Sequence, residues 1–121
     1  MTTSQSTIIR IIDVIGGSVC VDTQDGEKVF EEIKDHLNNS EIVTLSFDGV
    51  DFVISAFLNV AIGKLYGDFT EESIKANFRV EHMKPEDVSK LQRAIKNGKA
   101  FYKNPEAATR IFLESVDEEE S

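Results

Sequence analysis

A chain of 121 residues is long enough for one domain with a sizeable core and too short for two. With 40% hydrophobic and 29% charged residues the composition is that of a soluble globular protein, and no apolar run reaches the length that crosses a bilayer. The lone Cys20 excludes an intramolecular disulfide and suits a reducing cytoplasm, while a net charge of −9 opposes nucleic acid as the main partner.

Part of that charge is local. Glu114, Asp117, Glu118, Glu119 and Glu120 crowd the end of the chain without a base, leaving 17 acids against 13 bases elsewhere. Residues 113–121 read as a solvated acidic disordered tail, and residues 1–6 as a polar disordered N-terminus. The opening MTTSQST has neither the basic region nor the apolar core of a signal peptide, so secretion is not expected.

Between these ends, residues 7–112 read as a single domain. Thr7 to Ile15 is rich in β-branched residues and bounded by Gly16-Gly17, which predicts a strand and its turn. Val19 to Val21 is a second short extended piece, open to hairpin pairing with the first. Val29, Phe30, Ile33 and Leu37 recur at helical spacing behind early acids, which places a helix at about 24–38. Ile42 to Phe47 predicts a buried strand, Asp48-Gly49 a turn, and Val50, Phe52 and Ile54 an alternating extended connector. Ser55 then precedes an apolar segment through Tyr66 that is too long for one strand; it reads as a buried helix with Ser55 at its N-cap.

Thr70-Glu71-Glu72 opens a short helical or irregular link. Ala76, Phe78 and Val80 alternate with polar residues and predict another strand. Pro85, followed by Glu86 and Asp87, starts a last helix with Val88, Leu91, Ile95 and Tyr102 on its inner stripe, ended by Asn104-Pro105. Glu106 to Val116 has the composition of a short extra helix. The order β-β-α-β-α-β-α implies an α/β fold, with a small mixed sheet of about four strands packed against three to four helices.

The run FDGVDFVISAFLNVAIGKLYG resembles the signature of the STAS-like domain family of unknown function DUF4325, and the likeness extends from about Ile8 to Tyr102. The wider STAS fold is that of bacterial anti-sigma-factor antagonists, which carry Asp-Ser-Ser/Thr-Gly at the start of the corresponding helix. Their Ser is phosphorylated by a partner kinase, and Ser55 stands at the matching place. Ile54 stands where the Asp would be, and Ala56-Phe57 replace Ser/Thr-Gly. The resemblance implies a regulatory module that binds a protein partner, a regulator or an ATPase-type kinase. Its contact surface would be Ile54, Ser55 and Asn59 at the start of the central helix, with the Asp48-Gly49 turn.

The residues themselves offer little for catalysis. His36 and His82 lie on different elements without a Cys/His/acid cluster at metal-ligand spacing, so no metal or other cofactor is expected. His36 reads as a surface residue near a helix C-terminus, His82 as a turn residue, and Cys20, between two valines, as a buried inert thiol. Gly16-Gly17 lacks the Lys and spacing of a phosphate loop. No enzymatic activity is expected. Lys90, Arg93, Lys96 and Lys99 read as the solvated outer face of the last helix, or as a docking surface for an acidic segment. Ser55 has two compatible readings, a helix cap and a phosphoacceptor. The alternative from another class is a small-ligand or nucleotide site at the same helix N-terminus, where backbone N–H groups suit an anion. A weaker one is a component of a defence or mobile-element system.

Overall fold

The computed structural model describes residues 5–103. The expected N-terminal disorder, the extra helix and the acidic tail fall largely or wholly outside them. The strand built from β-branched residues, β3 (Ile42–Ser46), is the middle of a three-stranded sheet, flanked by β1 (Ser6–Arg10) and β5 (Phe78–Glu81). Both flanking pairs are parallel, with Ile9 opposite Leu45 and Leu45 opposite Val80. Parallel strands need long crossovers, and these are helical here. A second parallel pair, β2 (Val19–Cys20) and β4 (Phe52–Val53), stands apart from the sheet. The α/β architecture is as expected; the single mixed sheet is instead two parallel ones.

The expected strand over Thr7 to Ile15 stops at Arg10. Ile11–Ile15 forms the short helix α1, closed by Gly16 in the left-handed conformation (φ 73°), whose N–H reaches the Ile12 carbonyl at 3.0 Å. Ile11 is fully buried, so packing overrides the strand preference of an isoleucine run. With α1 turning the chain, Val19 does not hairpin onto β1. It lies opposite Phe52, and Cys20 opposite Val53.

The helix α2 (Thr23–Asn38) starts one residue before its expected position, capped by Asp22 Oδ1, which accepts from the Gln24 N–H at 2.8 Å. Gly26 is buried against the central apolar segment, where a Cβ would come within 3.1 Å of the Phe57 carbonyl oxygen. That segment is helical but not one α-helix. It runs as α3 (Ser55–Leu58), a π-helical stretch (Asn59–Gly63) and α4 (Leu65–Asp68). Phe57, Leu58, Ala61, Ile62 and Leu65 are all fully buried, which is why so apolar a run holds its place between α2 and the helix that starts at Pro85.

The Thr70 link becomes a true helix, α5 (Glu71–Asn77), because the Thr70 hydroxyl accepts from the Ser73 N–H at 3.1 Å. It takes Ala76, so β5 starts at Phe78, two residues later than the alternation suggested. Pro85 opens α6 (Pro85–Lys103) as expected. Its inner face is only partly the expected one: Leu91 and Ile95 pack against the core, but Asp87, Ala94, Asn97 and Gly98 are buried with them, whereas Val88 is 37% and Tyr102 42% exposed. The cause is a glycine crossing. Gly98 sits against Gly63, where a Cβ would be 2.6 Å from the Gly63 carbonyl oxygen. So close an approach fixes which face of α6 turns inward.

Candidate functional site

The end of β3 and the start of the central helical segment contain every residue expected at the contact surface. After Phe47 the chain reverses in a tight turn: the Val50 N–H reaches the Phe47 carbonyl at 3.0 Å, and Gly49 takes φ 83°. A positive φ at the third turn position is where glycine is needed. Gly49 also lies against α1, since a Cβ there would meet Ile12 Cδ1 at 3.1 Å. Asp48 is exposed, with its N–H on Ser46 Oγ at 3.2 Å and its carboxylate 3.9 Å from the Arg10 guanidinium. Arg10 also meets Asp13 at 3.8 Å, and such exposed pairs contribute little individually.

β4 then carries the chain to the helix. Asp51 is tied to Ser18 twice: Ser18 Oγ donates to its carboxylate, and the Asp51 N–H donates to the Ser18 carbonyl, each at 2.8 Å. Two lysines close on the same strand. Lys84 donates to the Asp51 carbonyl at 2.8 Å and Lys90 to the Val53 carbonyl at 3.0 Å. Lys90 also lies 5.5 Å from the Phe52 ring centroid and 3.2 Å from Asp87. The basic series of α6 is therefore not a uniformly solvated face: Lys90 is held here, and Lys99 pairs with Glu71 at 2.8 Å.

Ser55 is not the helix cap. Ile54 occupies that position, with extended backbone (φ −106°, ψ 160°) and its N–H on the Cys20 carbonyl at 3.1 Å. An isoleucine has no side-chain oxygen, so this helix start carries no side-chain capping bond. Ladder pairing to β2 keeps Ile54 extended and moves Ser55 one place inside, half-buried in the first turn. Asn59, four residues on and also half-buried, begins the π-helical stretch and falls on the same side of the helix as Ser55. Ile54, Ser55 and Asn59 are thus gathered at one helix start, whereas the Asp48-Gly49 turn packs on α1.

Three apolar side chains at this place escaped sequence reasoning. Phe52 is 52% exposed, Val19 opposite it 49%, and Val21, two residues on, 44%. The expected alternation of Val50, Phe52 and Ile54 along an extended connector puts them on one face. Instead Val50 is buried in the turn and Phe52 points outward, because the β2 register sets its face. Alternation of Val19 and Val21 around the buried Cys20 was the available signal.

The reactive residue types are otherwise occupied. Cys20 is fully buried, and desolvation, aided by Asp25, pushes its thiol up to about 11. His36 Nδ1 lies 3.1 Å from Glu41 Oε2, and the Thr7 hydroxyl donates to the other carboxylate oxygen. These hydrogen bonds, that from Thr7 first, hold the Glu41 carboxyl below its usual value. The histidine expected at the surface thus joins α2 to the start of β3. His82 is an exposed turn residue at φ 60°, 3.9 Å from Glu81. Among the described residues no group of three or more His, Cys, Asp or Glu is placed to hold a metal ion, and no helix is long and apolar enough to cross a membrane.

Comparison with protein families matches residues 25–88 to the model of the STAS-like domain of unknown function DUF4325. That span runs from the first turn of α2 into the first turn of α6; it includes Asp48, Gly49, Phe52, Ile54, Ser55 and Asn59, whereas Val19, Val21 and Lys90 lie outside it. Comparison with curated proteins and with solved structures gives no match.

Proposed function

The chain belongs to the STAS-like domain family DUF4325, and on that premise we propose that it is a cytoplasmic, non-enzymatic regulatory module that binds a partner protein through the start of its central helical segment. The observation that carries this reading is the pairing of Ser55 with an exposed apolar patch. Its hydroxyl makes no cap bond, and the strand that leads into it presents Phe52 beside Val19. Exposed aromatic and aliphatic groups with a polar rim suit a protein partner. The net charge of −9 favours a protein surface over a phosphate backbone.

Ile54, Ser55 and Asn59 form the rim of this contact, with Asp48 and Gly49 at its far side. Phosphorylation of Ser55 is the proposed switch. It would place roughly two negative charges in the first helical turn, where the helix dipole tolerates them and an apposed partner would not. By likeness to anti-sigma-factor antagonists, the partner is a regulator or an ATPase-type kinase.

The test is affinity capture from the native cells with tagged wild type, Ser55→Ala, Ser55→Glu and Phe52→Ala, read by mass spectrometry. The expected outcome is one specific partner retained by wild type and Ser55→Ala. Phe52→Ala should lose it and Ser55→Glu should bind it about tenfold more weakly. Unimpaired capture by Ser55→Glu would sink the switch, and unimpaired capture by Phe52→Ala would move the contact elsewhere.

A further inference from the structure

We propose that a cavity at the opposite end of the central helical segment binds a single-ring aromatic carboxylate. The cavity lies among α4, the start of α5 and the last turns of α6. Tyr66, Phe69, Thr70, Glu71, Lys99 and Tyr102 line it, and its volume is about 140 Å³. A space of roughly 150 Å³ accommodates one benzene molecule, so this half-open cavity has room for one six-membered ring with its substituent turned toward the open, polar side. Its first lining residue, Tyr66, lies eleven positions beyond Ser55, on the far side of the π-helical stretch. This site therefore stands independently of the partner surface.

The walls define the chemistry. Three of the six lining residues are aromatic and offer faces and edges for a ring. Tyr102 is held in place because its ring covers Gly67, where a Cβ would come within 2.5 Å of it. Phe101 meets Tyr102 edge-on at 4.9 Å between centroids. Lys99 supplies the charge, with Nζ 2.8 Å from Glu71 Oε2 and 5.9 Å from the Tyr66 ring centroid. Its side chain remains 34% exposed, so the ammonium is reachable from solvent.

The same oxygen of Glu71 is also 3.4 Å from Lys75. One carboxylate is therefore shared by two ammonium groups, and the trio carries a net positive charge. A ligand ammonium would compete with both lysines for Glu71, whereas a ligand carboxylate accepts from Lys99, which lines the cavity, while Lys75, which does not, keeps Glu71 paired. The Glu71 hydrogen bond raises the Lys99 pKa, further favouring the ammonium form.

Amide NMR of the full chain, titrated separately with benzoate, phenol and benzylamine, tests the assignment. Benzoate is expected to give saturable shifts centred on Tyr66, Phe69, Glu71 and Lys99. The binding efficiency per atom open to so small a ligand puts its dissociation constant at about 10 mM or tighter. Phenol should bind about tenfold more weakly, and benzylamine more weakly still. Lys99→Met should bring benzoate down to the level of phenol while leaving phenol unchanged. Tyr102→Leu, which keeps the ammonium, should weaken benzoate and phenol alike. The two tyrosines are the only ones in the sequence, and there is no Trp, so intrinsic fluorescence reads the same pocket independently. The proposal falls if no saturable shift appears, if benzylamine matches benzoate, or if Lys99→Met weakens phenol as much as benzoate.

Discussion

Replacing Gly98 by alanine tests the crossing that orients α6. On helix propensity alone the change stabilises, because alanine is favoured over glycine in a helix interior by about 1 kcal/mol. The structure reverses the sign. The new Cβ would lie 2.6 Å from the Gly63 carbonyl oxygen, 3.0 Å from its Cα and 3.2 Å from its carbonyl carbon, all backbone atoms. No rotamer change relieves such contacts; α6 has to move away from the π-helical stretch. Overpacking of this kind costs about 1–3 kcal/mol, and immovable neighbours place it at the upper end. Net of propensity, Gly98→Ala should destabilise by about 1–2 kcal/mol, or lower the melting temperature by roughly 5–10 °C. Gly63→Ala is the internal control. Its Cβ would meet nothing nearer than the Ala94 carbonyl oxygen at 3.4 Å, so it should be neutral to stabilising by up to about 1 kcal/mol. Urea and thermal unfolding followed by circular dichroism give both values. A Gly98→Ala protein as stable as wild type would refute the close crossing, and equal losses at both positions would show the contact to be misplaced.

Two phenylalanines five residues apart should behave oppositely: Phe57→Ala, fully buried, should cost about 3–5 kcal/mol, and Phe52→Ala, half exposed, less than about 1 kcal/mol by urea unfolding. The Cys20 thiol, raised from 9.0 to about 11, should resist a thiol reagent in the native state and react fully on unfolding. Because its folded value is the higher one, its contribution is complete below pH 9 and is lost between 9 and about 11; Cys20→Ala should flatten that part of the stability profile. Glu41 has the opposite sign. Its folded value lies below 4.5, so its contribution is present above 4.5 and lost as acid protonates it, and Glu41→Gln should show a shallower acid loss of stability than wild type.

Local patterns in the sequence determined much of this protein. Helical spacing in Val29, Phe30, Ile33 and Leu37 fixed α2 to within a residue, the β-branched run fixed β3, and Pro85 fixed the start of α6. The Asp48-Gly49 turn was legible because only glycine accepts its backbone angle cheaply. What failed was whatever depends on a distant neighbour. Ile11 to Ile15 leaves the strand because Ile11 is buried in helical form, although Ile11, Ile12 and Ile15 also fit a helical spacing. Ser55 lost the cap position because Ile54 is held extended by Cys20, more than thirty residues upstream. Phe52 faces outward because Val19 sets its register, and α6 is oriented by the close approach of Gly98 to Gly63 as well as by Leu91 and Ile95 of its own apolar stripe. Residue type and spacing carry the local energies that start and stop elements. Pairing register and the closest approach of two backbones have no local signature, so the exposed patch beside Ser55 and the cavity at Lys99 exist only in the folded chain.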